Sequence, residues 1–269
     1  MSEEFLVNFT PQETRVALMQ GGIVQELHIE RTASRGLVGN VYLGRVVRVL
    51  PGMQSAFIDI GLERTAFLHV ADIWEQRQNG HGGQNGEGPK PIEKILSEGQ
   101  NLIVQVLKDP IGTKGARLST QTSIAGRLLV YLPQEKHIGI SQRIEGEAER
   151  EQLREKLQQL VPADEAGGFI VRTMAEKASD EELANDIAYL RKMWTEARNA
   201  AVSARPPALL YQDLTLGQRL LRDLANPETS RILIDSRENF QKLSVFAQEY
   251  MPQLTHLLEH YTGERPLFD

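Results

Sequence analysis

The chain has 269 residues, enough for one large domain or roughly two to three small ones. Its hydrophobic share of 41% and charged share of 25% fit an ordinary folded protein, and a net charge of −6 excludes a coat protein that holds nucleic acid by bulk positive charge. The lack of cysteine excludes disulfides, thiol catalysis and cysteine-based zinc sites. The acidic start Met1-Ser2-Glu3-Glu4-Phe5 has no signal-peptide pattern, and no run approaches the length of a membrane span. The expectation is a cytoplasmic protein with no membrane partner.

Residues 5–30 read as a hairpin. Val16 and Leu18 mark one strand, Gly21-Gly22 the turn, and Ile23, Gln25, Leu27 and Ile29 alternate with Val24, Glu26, His28 and Glu30 as a half-buried strand. Residues 36–120 form a second, strand-rich unit. Val41 to Leu50 is strand-like and stops at Pro51-Gly52. Two short strands follow, Gln54 to Ile60 and Thr65 to Val70. Residues 75–91 are rich in Gly, Asn and Gln and predict a long mobile loop. Leu102 to Lys108 is a further strand, leading to a loop with Lys114 between Gly112 and Gly115.

Residues 121–205 form a third unit. Leu128 to Leu132, Ile138 to Ile140 and Phe169 to Val171 are short apolar strands, and Leu153, Leu157 and Leu160 mark a helix face. Ser179 with Glu182 makes a capping box ahead of a stripe at Leu183, Ile187, Leu190 and Trp194. Arg205-Pro206-Pro207 ends that helix. Residues 208–265 alternate strand and helix: Leu209 to Tyr211, the Leu216-Leu220-Leu224 face, Arg231 to Asp235, and the Phe240-Leu243-Ala247-Tyr250 face. Such alternation needs a sheet to pack on, and the first 30 residues supply strands without a helix. The economical reading joins the two ends, 1–35 and 206–269, in one α/β domain, with 36–120 and 121–205 inserted in it.

The pattern within 54–70 points to chemistry. Ala56, Ile58 and Ile60 alternate with Ser55, Phe57 and Asp59; Ala66, Leu68 and Val70 alternate with Thr65, Phe67 and His69. Side chains along a strand point to opposite sides, so Phe57 and Phe67 fall on the polar faces, away from the core. Exposed rings on a small barrel are stacking platforms for single-stranded nucleic acid. The competing reading is a pair of rings tucked under a loop. Residues 36–120 hold 9 Lys and Arg against 8 Asp and Glu, so nucleic-acid binding there needs focused contacts.

Gly39-Asn40-Val41-Tyr42-Leu43-Gly44-Arg45-Val46, Ala56 to Gly61 and Ala66 to His69 resemble an S1 RNA-binding domain, a five-stranded oligonucleotide-binding (OB-fold) barrel. Glu13-Thr14-Arg15-Val16-Ala17, Gly115-Ala116-Arg117-Leu118, Ser141 to Glu145, Gly168 to Thr173 and Leu258 to Gly263 resemble the amino-terminal part of the ribonuclease E/G family. The resemblance spans nearly the whole chain. It implies a multidomain α/β and α+β fold: a ribonuclease H-like domain split between both termini, an inserted S1 barrel, and an α+β 5′-sensor region.

Family members are magnesium-dependent endoribonucleases that cut single-stranded RNA and prefer a 5′ monophosphate. The resemblance assigns RNA contacts to Phe57, Phe67 and Lys114, and the surround of the 5′ end to Gly126 and Val130. It assigns phosphate ligands to Arg172 and Thr173, with Arg143 a further candidate. An arginine fork and a threonine hydroxyl directly after a buried strand suit a terminal phosphate. The alternatives are a solvated turn lysine at Lys114, an Arg172 ion pair with Asp180 or Glu181, and an Arg143 ion pair with Glu145 or Glu147.

The family's catalytic aspartates and a paired-cysteine zinc motif lie beyond the matched region, so the chain is expected to be an amino-terminal portion, inactive alone. Magnesium is expected for the full enzyme, with neither metal nor catalytic residue assigned here. Asp235 is the one carboxylate placed like a ribonuclease H ligand; its other reading is an N-cap shared with Ser236. The competing functions are a non-catalytic S1-type adaptor and a self-sufficient nuclease using Asp235. For assembly, a monomer and a weak homodimer both stand.

Overall fold

A computed structural model describes residues 3–74 and 90–268. The chain divides into two compact units, Met1–Gly36 with Leu214–Asp269, and Leu37–Asp213. The loop expected at 75–91 lies almost wholly outside the described residues.

The first unit opens with β1 (Glu3–Phe9), β2 (Glu13–Gln20) and β3 (Ile23–Arg31), an antiparallel run turned at Gly21-Gly22 as expected. β3 departs from expectation. Its apolar residues are exposed, Leu27 by 53% and Ile29 by 51%. The register explains this: core residue Val16 lies opposite His28, and Leu18 opposite Glu26. The polar set of β3 therefore shares the helix-covered face, and the apolar set takes the other. Alternation identified the strand but not which face would be covered.

The second unit begins with β4 (Val41–Leu50), β5 (Ser55–Asp59), β6 (Ala66–His69), β7 (Asn101–Lys108) and β8 (Arg117–Ser119). They pair in the order β4-β5-β6-β8-β7, and β7 returns to β4, closing a five-stranded barrel. Closure leaves no free edge within the ring. Ala56, Ile58, Ala66, Leu68, Val104 and Leu118 fill the interior, each fully buried. The closed barrel agrees with the OB-type expectation.

Next come β9 (Ile124–Ala125), β10 (Leu129–Leu132), β11 (Ile138–Ile140) and β12 (Gly168–Val171), forming a sheet ordered β11-β12-β10-β9. Helices α1 (Glu147–Leu160) and α2 (Asp180–Ser203) accompany it, with Leu153, Leu157, Leu183 and Leu190 buried. Ser179 Oγ accepts the Glu182 N–H at 3.2 Å, and Glu182 returns to the Ser179 N–H at 2.9 Å, the capping box read from the sequence. Tyr131 donates to Glu165 at 2.7 Å beneath this sheet. β13 (Ala208–Tyr211) corrects one expectation. The sequence reading puts it with the terminal domain, but it pairs antiparallel with β4, Leu209 opposite Tyr42.

The chain then rejoins the first unit through α3 (Leu216–Arg219), a π turn at Leu220–Leu224, β14 (Thr229–Ile234), α4 (Arg237–Tyr250) and β15 (Leu258–His260). β14 runs parallel to β1, and β15 parallel to β14. The full order is β15-β14-β1-β2-β3. Phe5, Val7, Ile232 and Ile234 meet Leu243, Phe246 and Ala247 in its core.

Candidate nucleic-acid interface

The barrel positions two rings by strand alternation alone. Phe57 sits between Ala56 and Ile58, and Phe67 between Ala66 and Leu68, all four neighbours being fully buried. Both rings therefore project outward, each half-buried. They are direct cross-strand partners. Their centroids lie 6.2 Å apart with planes inclined at 64°, an edge-to-face pair rather than a face-to-face stack.

The loop after β7 completes the site. Ile111 and Lys114 exchange backbone hydrogen bonds of 3.2 and 3.0 Å, making a tight turn. A Cβ on Gly115 would lie 2.0 Å from the Thr65 carbonyl oxygen, so only glycine lets this loop press against the start of β6. The Arg64 guanidinium donates to the Gly112 carbonyl and fixes the turn from the other side. Lys114 is thereby held beside Phe67, and its ammonium makes no ion pair with any described residue.

Phe57, Phe67 and Lys114 line one groove of about 920 Å³. Lys108, Arg64 and Arg117, absent from the sequence assignment, line it too. Arg117 is gripped by the buried Asp72 carboxylate, 2.9 Å from Nε and 2.8 Å from Nη2, so its charge stands at a fixed place. Four cations against Glu63 and Asp109 leave the groove positive on an acidic chain. Lys108 had one signal available, a cation ending a mostly apolar strand. Arg117 had none, since its anchor Asp72 is 45 residues away.

The second set of assigned residues gathers at one end of the β10-β12 sheet. Ala125 pairs with Val130, and the Gly126 N–H donates to the Leu129 carbonyl at 2.8 Å. Arg172 follows β12 and sends Nη1 to the Gly126 carbonyl at 2.5 Å, which joins the two segments. Thr173 is exposed and opens a short 3-10 turn. Val130 is half-buried. Arg143, in the loop after β11, is exposed and forms no ion pair with a described residue, so the Glu145 or Glu147 pairing does not occur. Asp180 pairs with Lys156 at 3.2 Å, and the buried Asp186 carboxylate feels the charge of Arg172. Sequence reading passed over Asp186, although it falls three residues after Leu183, within the buried stripe.

Asp235 is not the N-cap. Ser236 Oγ accepts the Asn239 N–H at 3.3 Å and caps α4. The Asp235 carboxylate instead accepts from Asn8 Nδ2 at 2.5 Å and from the Phe9 N–H at 3.0 Å, tying β14 to the end of β1. Among the described residues, no group of three or more His, Asp or Glu could hold a metal ion, and no helix is long and apolar enough to cross a membrane.

The model of the ribonuclease E/G family matches residues 123–269. Ribonuclease G of Escherichia coli (strain K12) is 50% identical over 270 residues, covering 100% of this chain and 55% of that protein. Ribonuclease G of Haemophilus influenzae is 46% identical over 267 residues, covering 99% of the chain and 54% of the relative. Ribonuclease E of Haemophilus influenzae is 37% identical over 268 residues, with 28% of its length covered. The chain thus spans about half the length of these ribonuclease G relatives. Matched by the family model over more than half its length and by these relatives from end to end, the chain belongs to the ribonuclease E/G family.

Proposed function

We propose that this chain binds single-stranded RNA and reads its 5′ monophosphate, as the RNA-engaging part of an endoribonuclease of the ribonuclease G type. The observation that carries the reading is the outward pair Phe57–Phe67 sharing one groove with Lys114. A base laid on either ring gains about 1–3 kcal/mol whatever its identity, while Lys114, Lys108 and Arg117 neutralise phosphates along the path. Strands held in a duplex cannot offer a free base face, so the groove selects unpaired RNA.

Arg172, Thr173, Gly126 and Val130 are proposed to receive the 5′ end, with Arg143 a cation beside them. The guanidinium supplies paired donors to phosphate oxygens and Thr173 adds a hydroxyl. A 5′-hydroxyl end offers nothing for these donors to bind. Residues 1–36 with 214–269 are proposed as a ribonuclease H-like domain, residues 37–120 as the S1 domain and 121–205 as the 5′-sensor, with β13 set beside the barrel strand it pairs with. Three antiparallel strands followed by two parallel ones, ordered β3-β2-β1-β14-β15, support the first of these.

Magnesium, implied by the family, does not fit the carboxylates here, because Asp235 is engaged by Asn8 and Phe9 and no acidic cluster accompanies it among the described residues. We therefore assign cleavage to residues outside this chain. Fluorescence anisotropy with 5′-monophosphorylated and 5′-hydroxyl RNA of one sequence tests the proposal. The monophosphate should bind more tightly, and Arg172→Ala should erase the difference. Equal affinity of the wild-type chain for both ends would remove 5′ sensing and leave an S1-type RNA binder.

A further inference from the structure

Three consecutive peptide groups behind the assigned 5′-end residues share one arrangement. The peptide joining Gly126 to Arg127 donates its N–H to Asp186 Oδ1 at 3.1 Å, and its carbonyl accepts from Arg172 Nη1 at 2.5 Å. The next peptide donates the Leu128 N–H to Asp186 Oδ2 at 3.0 Å, and its carbonyl, on Arg127, faces the same Nη1 at 3.4 Å. The third donates the Leu129 N–H to Oδ2 at 2.8 Å, and its carbonyl, on Leu128, accepts the backbone N–H of Arg172 at 2.8 Å. One buried carboxylate stands on the N–H side of all three groups, and Arg172 stands on the carbonyl side.

The polarity is consistent throughout. An anion draws N–H dipoles toward itself, which sharpens the partial negative charge on the opposite carbonyls; two of those carbonyls hold the guanidinium and the third holds the Arg172 backbone N–H. Because a guanidinium is rigid and planar, fixing Nη1 fixes the direction of the whole fork. Sterics lock the same contact. A Cβ on Gly126 would lie 2.5 Å from Asp186 Oδ2, so the carboxylate occupies the space that the missing side chain leaves. Burial pushes the Asp186 carboxyl up, while the three N–H donors and the Arg172 guanidinium pull it down.

We propose that Asp186 is a positioning residue for 5′-end recognition: through these three peptides it sets where the Arg172 guanidinium stands, and with it the discrimination between phosphorylated and unphosphorylated RNA. The inference rests on the 5′-monophosphate reading above. It adds a determinant that never touches the RNA.

Asp186→Asn keeps the shape but turns one acceptor into an amide that opposes backbone N–H groups. The test uses the 269-residue chain and a short single-stranded RNA with either a 5′ monophosphate or a 5′ hydroxyl, read by anisotropy as the ratio of the two affinities. The expected result is a fall in that ratio of about ten-fold, within the range seen for directly coupled groups. The double variant Asp186→Asn, Arg172→Ala should have the same ratio as Arg172→Ala alone, since both act through one fork. A merely structural role would weaken both RNAs alike and leave the ratio intact, which would overturn the proposal.

If Asp186→Asn does not fold, the wild-type chain decides by NMR titration with a 5′-phosphorylated dinucleotide. The amide protons of Arg127, Leu128 and Leu129 should shift with the same dissociation constant as the Arg172 side chain. Shifts confined to Arg172 and Thr173 would overturn it. Wild-type indifference to the 5′ end would sink the sensing reading and this inference together, whereas discrimination retained in Asp186→Asn sinks the positioning role alone.

Discussion

Phe67→Ala separates binding from folding. The ring is half-buried, so its removal forfeits part of a core-type phenylalanine deletion, which in full is worth about 3–5 kcal/mol. It also loses the edge-to-face contact with Phe57 at 6.2 Å, about 0.5–1.5 kcal/mol. Half the full core figure, about 2 kcal/mol, together with the ring contact gives a total of about 3 kcal/mol expected in urea unfolding. RNA binding should lose about 1–3 kcal/mol, a drop of roughly 5- to 150-fold in affinity under conditions where the variant stays folded. Leu68→Ala provides the contrast. That side chain is fully buried, so the change should cost about 2–5 kcal/mol of stability while the folded fraction binds RNA normally. Anisotropy against a labelled oligoribonucleotide and urea melts of both variants give the four numbers needed. The reasoning is refuted if Phe67→Ala destabilises as much as Leu68→Ala and its folded fraction binds RNA like the wild type.

Lys114→Ala should weaken single-strand binding uniformly across sequences and lower the slope of log affinity against log salt by about 0.7, the loss of one phosphate contact; an unchanged slope would place its ammonium off the RNA path. Burial pushes Glu165 up, but the Gly167 N–H, the Tyr131 hydroxyl and Arg191 outweigh it and hold its carboxyl below the usual 4.5. A lowered folded value means the carboxylate stabilises the fold fully above that ordinary value and loses this contribution as pH falls through the folded one. Glu165→Gln should therefore be less stable than wild type at pH 7, with the gap narrowing below about pH 4.5 in thermal melts; a constant gap would contradict the assignment. Asp235→Asn should destabilise the first unit by about 1–3 kcal/mol through the lost acceptor at the end of β1, without altering RNA affinity. Magnesium-dependent cleavage by the wild-type chain that vanishes in this variant would reverse its structural assignment.

The outward rings were legible because strand period two is a local property, readable within five residues on either side of Phe57 and Phe67. The capping box at Ser179 and Glu182 was legible for the same reason. The face of β3 was not. Which of its two sets is covered depends on register with β2 and on where α3 and α4 lie, and both are non-local. β13 was misplaced because Ala208 to Tyr211 reads as a strand without saying which strand it pairs with. Asp186 and Asp72 escaped because a lone aspartate carries no local sign of its partner, and their partners lie 57–59 and 45 residues away. Asp235 shows the converse: its neighbour Ser236 offered an equally good local cap, and the sheet took the aspartate.

The pairing of β13 with β4 has an architectural consequence. The Asp213 N–H donates to Asn40 Oδ1 at 2.9 Å, so the point where the chain enters the second unit and the point where it leaves are clasped together. A stretch of well over a hundred residues thus behaves, for the fold it interrupts, like a short closed loop. A host sheet can accept such a graft with little extra entropic burden, since lengthening a loop two-fold costs only about 0.6 kcal/mol even when its ends are free. A lineage can then exchange, enlarge or delete the grafted module while the split host keeps its strand order.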